Sequence, residues 1–122
     1  MRSVRIVRIL VAVEPRMYRE VIALSLHQRR PDAEVLICPP EVLDREAGRF
    51  EPHLVVLDDN DGAAPDGLPG VLSRVEILLG ASMDARIGVD GQTREVKDIC
   101  TEDLLAVVDE AAKLIPKEEA EE

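Results

Sequence analysis

The amino-acid sequence predicts an α/β protein built on a mainly parallel sheet with helices packed against it. Three observations carry this expectation. The stretch Leu54-Val55-Val56-Leu57 is apolar without alternation, lies between Pro52 and Gly62, and ends in the acids Asp58, Asp59 and Asp61. A strand with no polar side is buried on both faces, which belongs to parallel sheets covered by helices. Strand-like and helix-like patterns alternate from Val4 to Asp58, which implies parallel strands joined by right-handed crossovers. Hydrophobic residues make up 46% of the chain and aromatics 2%, so the core is aliphatic.

The elements follow in order. Val4 to Val13 reads as the first strand, with Arg5 and Arg8 early and the continuous run Ile9-Leu10-Val11-Ala12-Val13 at its end. Glu14-Pro15 stops it. Met17 to Arg29 repeats apolar residues every three or four positions, at Met17, Val21 and Leu24 and at Ile22 and Leu26, and predicts a helix. Ala33 to Cys38 is a short strand closed by Pro39-Pro40, and Glu41 to Phe50 is a second helix. The central strand ending at Asp58 comes next. The segment Gly62 to Gly70 is too rich in Gly and Pro for a helix, so a loop stands where the third crossover helix would be. Arg74 to Leu79 is a fourth strand, followed by a turn too short for another helix. Ala85 to Val89 and Thr93 to Val96 flank Asp90-Gly91, a strong hairpin signal, so a hairpin replaces the fourth crossover. Thr101-Glu102-Asp103 reads as an N-cap with acids in the first turn, opening a final helix that Pro116 stops. Residues 1–116 form one domain and Lys117 to Glu122 an acidic, solvated tail.

Composition narrows the function classes. A formal net charge of −10 opposes nucleic acid and anionic membranes, because phosphate contacts need Lys and Arg. No apolar stretch approaches the roughly 20 residues of a membrane span, and the N-terminus lacks a signal-type core. Cys38 and Cys100 have neither metal nor redox spacing and suit a reducing compartment. A cytoplasmic protein is expected. His27, in a helix, and His53, at the start of the central strand opposite its acids, read as surface or packing residues.

The runs Arg8-Ile9-Leu10-Val11-Ala12-Val13-Glu14 with Arg19-Glu20, Pro52-His53-Leu54-Val55-Val56-Leu57-Asp58 with Asp66-Gly67, and Val96-Lys97-Asp98-Ile99 before Thr101-Glu102-Asp103 stand in order along the chain. Together they resemble the receiver domain of two-component response regulators. The resemblance implies a flavodoxin-like, three-layer doubly wound sheet of strand order 2-1-3-4-5. It implies a phosphate-accepting Asp at the end of the third strand, matched by Asp58, a second acid after the first strand, matched by Glu14, and a Lys after the last strand, matched by Lys97. The carboxylates of a receiver hold Mg²⁺, which favours a compact set of oxygens, and the Lys neutralises phosphoryl charge. Glu14, Asp58 and Asp59 are the metal candidates here, with Asp59 or Asp61 replacing a missing carboxylate.

The sequence also departs from that pattern. Val13 occupies the first-acid position, Leu79 or Gly80 stands where Thr or Ser is expected, with Ser82 as a displaced candidate, and Asp98 replaces the Pro after Lys97. If the last strands form a meander, an extra strand separates Lys97 from Asp58. The expected function is therefore a stand-alone pseudo-receiver with lost or weakened phosphoacceptor chemistry, acting as a signalling or protein-interaction module and not as an enzyme. The alternative is an active receiver phosphorylated on Asp58 by a histidine kinase with Mg²⁺. A small-molecule binder on the same scaffold is disfavoured by Glu14-Pro15-Arg16, where a Gly-rich phosphate loop would stand. With two covering helices missing, aliphatic residues of the third and fourth strands are expected under thin cover, forming a face for a protein partner or a homodimer. Alternatively, the loop of residues 62–72 folds back with Leu68, Val71 and Leu72 and closes the core.

Overall fold

The computed structural model describes residues 6–13, 16–58, 71–78, 84–89 and 92–115. Its elements are β1 (Arg8–Ala12), α1 (Arg16–Arg29), β2 (Glu34–Ile37), a 3-10 turn (Pro40–Val42), α2 (Leu43–Phe50), β3 (Leu54–Asp58), β4 (Ser73–Leu78), β5 (Asp84–Val89), β6 (Gln92–Val96) and α3 (Thr101–Leu114). The protein is α/β, and its described residues form a six-stranded mixed sheet in the order β2-β1-β3-β4-β5-β6 and three helices. β1 pairs in parallel with β2 and β3, and β3 in parallel with β4. The β4–β5 and β5–β6 pairs are antiparallel. A five-strand, mainly parallel order thus becomes a sheet with one strand more. The chain between Leu78 and Asp84 is too short for the crossover of a dozen or more residues that a parallel return needs, so β5 runs back antiparallel. The Gly/Pro loop from Gly62 to Gly70, the Asp90-Gly91 turn and the acidic tail lie outside the described residues.

Two apolar clusters sandwich the sheet. On one face, Ile9, Val11, Leu54, Val56, Val75, Ile77, Ala85 and Ile87 pack under Leu26 of α1 and Leu104, Leu105, Val107, Val108 and Ala111 of α3. On the other, Leu10, Ala12, Val55 and Leu57 pack with Leu43 and Ala47 of α2. All five residues of β3 are buried, which accounts for its unalternated sequence. The strands beyond it differ. β4 alternates, sending Val75 and Ile77 to the α3 face while Arg74 and Glu76 take the other. Glu76 stands opposite Arg86 of β5 and accepts from its Nη1 at 2.9 Å. On the sheet face where none of the described helices lies over β4 and β5, these strands therefore present charge, and the expected aliphatic exposure does not extend to β4. Val55 and Leu57 are buried, and the chain before β4 folds back so that Val71 packs on the α2 cluster and Leu72 on the other. Leu68 lies outside the described residues.

The last helix starts one residue earlier than its sequence suggests. Cys100 is the N-cap and Thr101 the first helical residue. The Cys100 backbone N–H donates to Asp103 Oδ2 at 3.0 Å and its thiol to the same oxygen at 3.3 Å. α3 is also tied to the end of α1. Arg30 makes a two-pronged pair with Asp109, Nε to Oδ1 at 3.0 Å and Nη2 to Oδ2 at 2.8 Å, and Arg29 Nη2 meets Glu102 Oε2 at 3.3 Å. The hydrogen bond from Arg30 holds the Asp109 carboxyl below its ordinary range. Glu102 is lowered as well, first by the N–H at the helix start, then by Cys100 and Arg29.

A carboxylate whose folded-state pKa is lowered adds stability that is present above the unfolded value, about 4, and lost as the pH falls through the folded value. Asp109→Asn is expected to lower stability at pH 7 by about 0.2–1 kcal/mol, because the pair is half exposed to solvent. It should also flatten the loss of stability below about pH 4. Urea unfolding at a series of pH values measures both effects.

Candidate functional site

The carboxyl ends of β1, β3, β4 and β6 and the start of β5 share one rim, since β5 alone runs the other way. In open sheets of this kind the chain reverses its direction of travel where β1 meets β3, because β2 lies to one side of β1 and β3 to the other, and the crevice opens there. Asp58 ends β3 at that point, 5% exposed, with Ile77 of β4 as its register partner. Ala12 pairs with Leu57, so Val13 stands beside Asp58 at the rim. By the alternation of the strand, Asp58 belongs to the side of Leu54 and Val56, the α1 and α3 side.

Arg19, which the sequence marks only as part of a motif, also comes to this place. It is 7% exposed, and its Nη1 donates to the Val13 carbonyl at 3.3 Å. A signal for it existed: Arg19 precedes Leu26 by seven residues and so shares the inward stripe of α1, where a guanidinium needs partners. Its charge also reaches Cys38 at the end of β2. That thiol is buried and its pKa is raised, first by desolvation and then by Glu46, with Arg19 pulling the other way. Cys38 and Cys100 are both free.

Lys97 is on the same rim but far along it. It follows β6, three strand spacings from β3, or about 14 Å at roughly 4.8 Å each. It is exposed, and the next residue, Asp98, donates its N–H to Asp84 Oδ1 at 3.1 Å, closing the turn over the start of β5. Asp98 has φ 51°, the left-handed region. The extra strand therefore stands between Asp58 and Lys97 as the hairpin reading implied. Glu14, Asp59, Asp61 and Ser82 lie outside the described residues, as do Leu79 and Gly80. Among the described residues no three His, Cys, Asp or Glu side chains gather as a metal site, and Asp58 is the one metal candidate that can be placed.

The opposite end of β3 is pinned by His53. The imidazole is 2% exposed, and its Nδ1 accepts from the Arg8 backbone N–H at 3.0 Å. The backbone N–H of His53 donates to the Arg8 carbonyl, and its own carbonyl accepts from Leu72 and Ser73. One residue thus joins the starts of β1, β3 and β4, which sets the register that delivers Asp58 to the rim. His27 is exposed on α1.

Comparison with protein-family models, with curated proteins and with solved structures finds no match to this chain. Among the described residues, no helix is long and apolar enough to cross a membrane.

Replacing His53 with Leu removes the acceptor of a part-buried hydrogen bond from the Arg8 N–H. An unmade buried hydrogen bond costs about 1–3 kcal/mol, so His53→Leu is expected to lose that much in denaturant unfolding. Unchanged stability would show that the imidazole does not join the strands.

Proposed function

We propose that the chain is a receiver-like domain of flavodoxin-like arrangement that has kept the scaffold and lost or weakened its phosphoacceptor chemistry, working in the cytoplasm as a signalling or protein-interaction module. One observation carries this reading. Asp58 occupies the end of a central strand at the crevice, the position of a phosphate-accepting Asp, while β4 and β5 lie between that strand and β6, which Lys97 follows. A phosphoryl group on Asp58 needs a cation within a few ångströms to offset its developing charge. At about 14 Å, Lys97 cannot supply it.

Among the described residues, Arg19 also comes to this part of the rim, where its Nη1 donates to the Val13 carbonyl. The competing reading, an active receiver fed by a histidine kinase with Mg²⁺ at Glu14, Asp58 and Asp59, draws on the same placement of Asp58.

The two readings separate on incubation with acetyl phosphate and Mg²⁺, followed by intact-mass measurement of the wild type and Asp58→Asn. The proposal predicts that each protein keeps its own unmodified mass. A Mg²⁺-dependent gain of one phosphoryl group in the wild type that disappears in Asp58→Asn would establish the active receiver instead.

A further inference from the structure

Helix α1 is apolar on two opposite sides. Leu26 is buried and Ile22 packs beside it against the sheet, whereas Met17, Val21 and Leu24 are 67%, 57% and 56% exposed. A helix that is apolar all round is normally covered all round. The outward residues are spaced by four and then three positions, and Gln28 continues the series after four more. That is the 3.5-residue seam of a two-stranded coiled coil, with a polar residue at one end. In the same heptad, Arg19 and Leu26 occupy the position farthest from the seam, and both are buried in the domain. The contacts that fold the protein and the contacts the seam offers therefore use different sides of one helix. Ile37 widens the outward surface: it is exposed at the end of the edge strand and pairs in register with Val11, which faces α1 and α3.

We propose that this seam is a homodimer interface, with two copies of α1 packed antiparallel about a two-fold axis. Charge selects the occupant and the orientation. Glu20 and His27 lie on the same flank of the seam, and both are exposed. An antiparallel alignment that sets Val21 against Leu24 of the second copy also sets Glu20 against His27, twice, once on each side of the axis. Tyr18 then meets Ser25 on the other flank. A parallel alignment would instead bring Glu20 to Ser25, away from the imidazole of His27, whose ring N–H can donate to a carboxylate.

The cations at the helix ends do not disturb this pairing. Arg16 is held by Glu20 at 2.7 Å within the same helix, and Arg29 and Arg30 are held by Glu102 and Asp109 of α3. The seam is thus locally balanced in a chain of net charge −10, so two copies can meet there without facing their acidic surfaces. Antiparallel helices also oppose their dipoles favourably. Self-complementarity of this kind is what a two-fold interface requires. A helix of 14 residues is about 21 Å long, so the contact is at the small end of stable interfaces and the dimer is concentration-dependent.

The inference rests on α1 and stands apart from the receiver reading, since phosphorylation of Asp58 has no bearing on it. Sedimentation velocity of the full chain over a wide concentration range tests it, with circular dichroism to verify folding. The wild type is expected to shift from monomer to dimer, and Leu24→Glu to raise the dissociation constant by at least about tenfold. Leu24→Gln serves if the charged variant misfolds, and Ala106→Glu, on the exposed side of α3, should leave association unchanged. Glu20→Lys and His27→Glu should each weaken the dimer, and the two together should restore it. A wild type that stays monomeric, a dimer indifferent to Leu24, or a double charge swap that fails to restore association would each overturn the proposal.

Discussion

The whole arrangement depends on burying β3 on both faces. A strand with no polar side chain among Leu54, Val55, Val56 and Leu57 needs an apolar layer above and below, and the chain supplies one with α1 and α3 and the other with α2. Two faces covered by helices require crossovers, crossovers require parallel neighbours, and parallel neighbours bring strand ends to a common rim. The placement of Asp58 follows from that sequence of constraints. His53 secures it at the far end by joining three strand starts through hydrogen bonds.

The same logic explains why the sheet changes character after β4. Among the described residues, β4 and β5 have one face under α3 and no helix over the other. Their sequences alternate accordingly: Val75 and Ile77, Ala85 and Ile87 go inward, while Arg74, Glu76 and Arg86 take the side without a helix. The Glu76 and Arg86 pair is directly cross-strand, where opposite charges stabilise a sheet by about 0.2–1 kcal/mol. An antiparallel meander with one polar face is stable without a third layer. Its consequence for the rim is geometric, because each added strand moves Lys97 farther from Asp58.

Much of this was legible in the residues. The unalternated run to Leu57 placed the central strand, Asp90-Gly91 marked the hairpin, and the stripe from Leu104 to Ile115 marked α3. The polar face of β4 could also be read, since Arg74 and Glu76 alternate with Val75 and Ile77 and argue against an aliphatic surface there. Other features lay beyond local pattern. α1 carries two apolar stripes, and periodicity cannot say which one faces the sheet; the inward one includes Arg19, whose Nη1 donates to the carbonyl of Val13, just past β1, which only the fold brings near. The cap of α3 is Cys100, a weak capping residue, in place of the adjacent Thr101, because Asp103 reaches back to the Cys100 N–H. The hydrogen bond from Arg8 to His53 spans 45 residues and has no sequence signature.

The most direct measurement of the central claim is native-state hydrogen exchange resolved by residue. A strand paired on both sides and buried on both faces opens only with the whole domain, whereas an edge strand exchanges through local fraying. The account predicts that the amides of Val55, Val56 and Leu57 exchange slowest, together with those of Leu10 and Val11, and that Thr93 to Glu95 on the outer β6 exchange far faster. Fast exchange at Val55 to Leu57, matching that of β6, would contradict it.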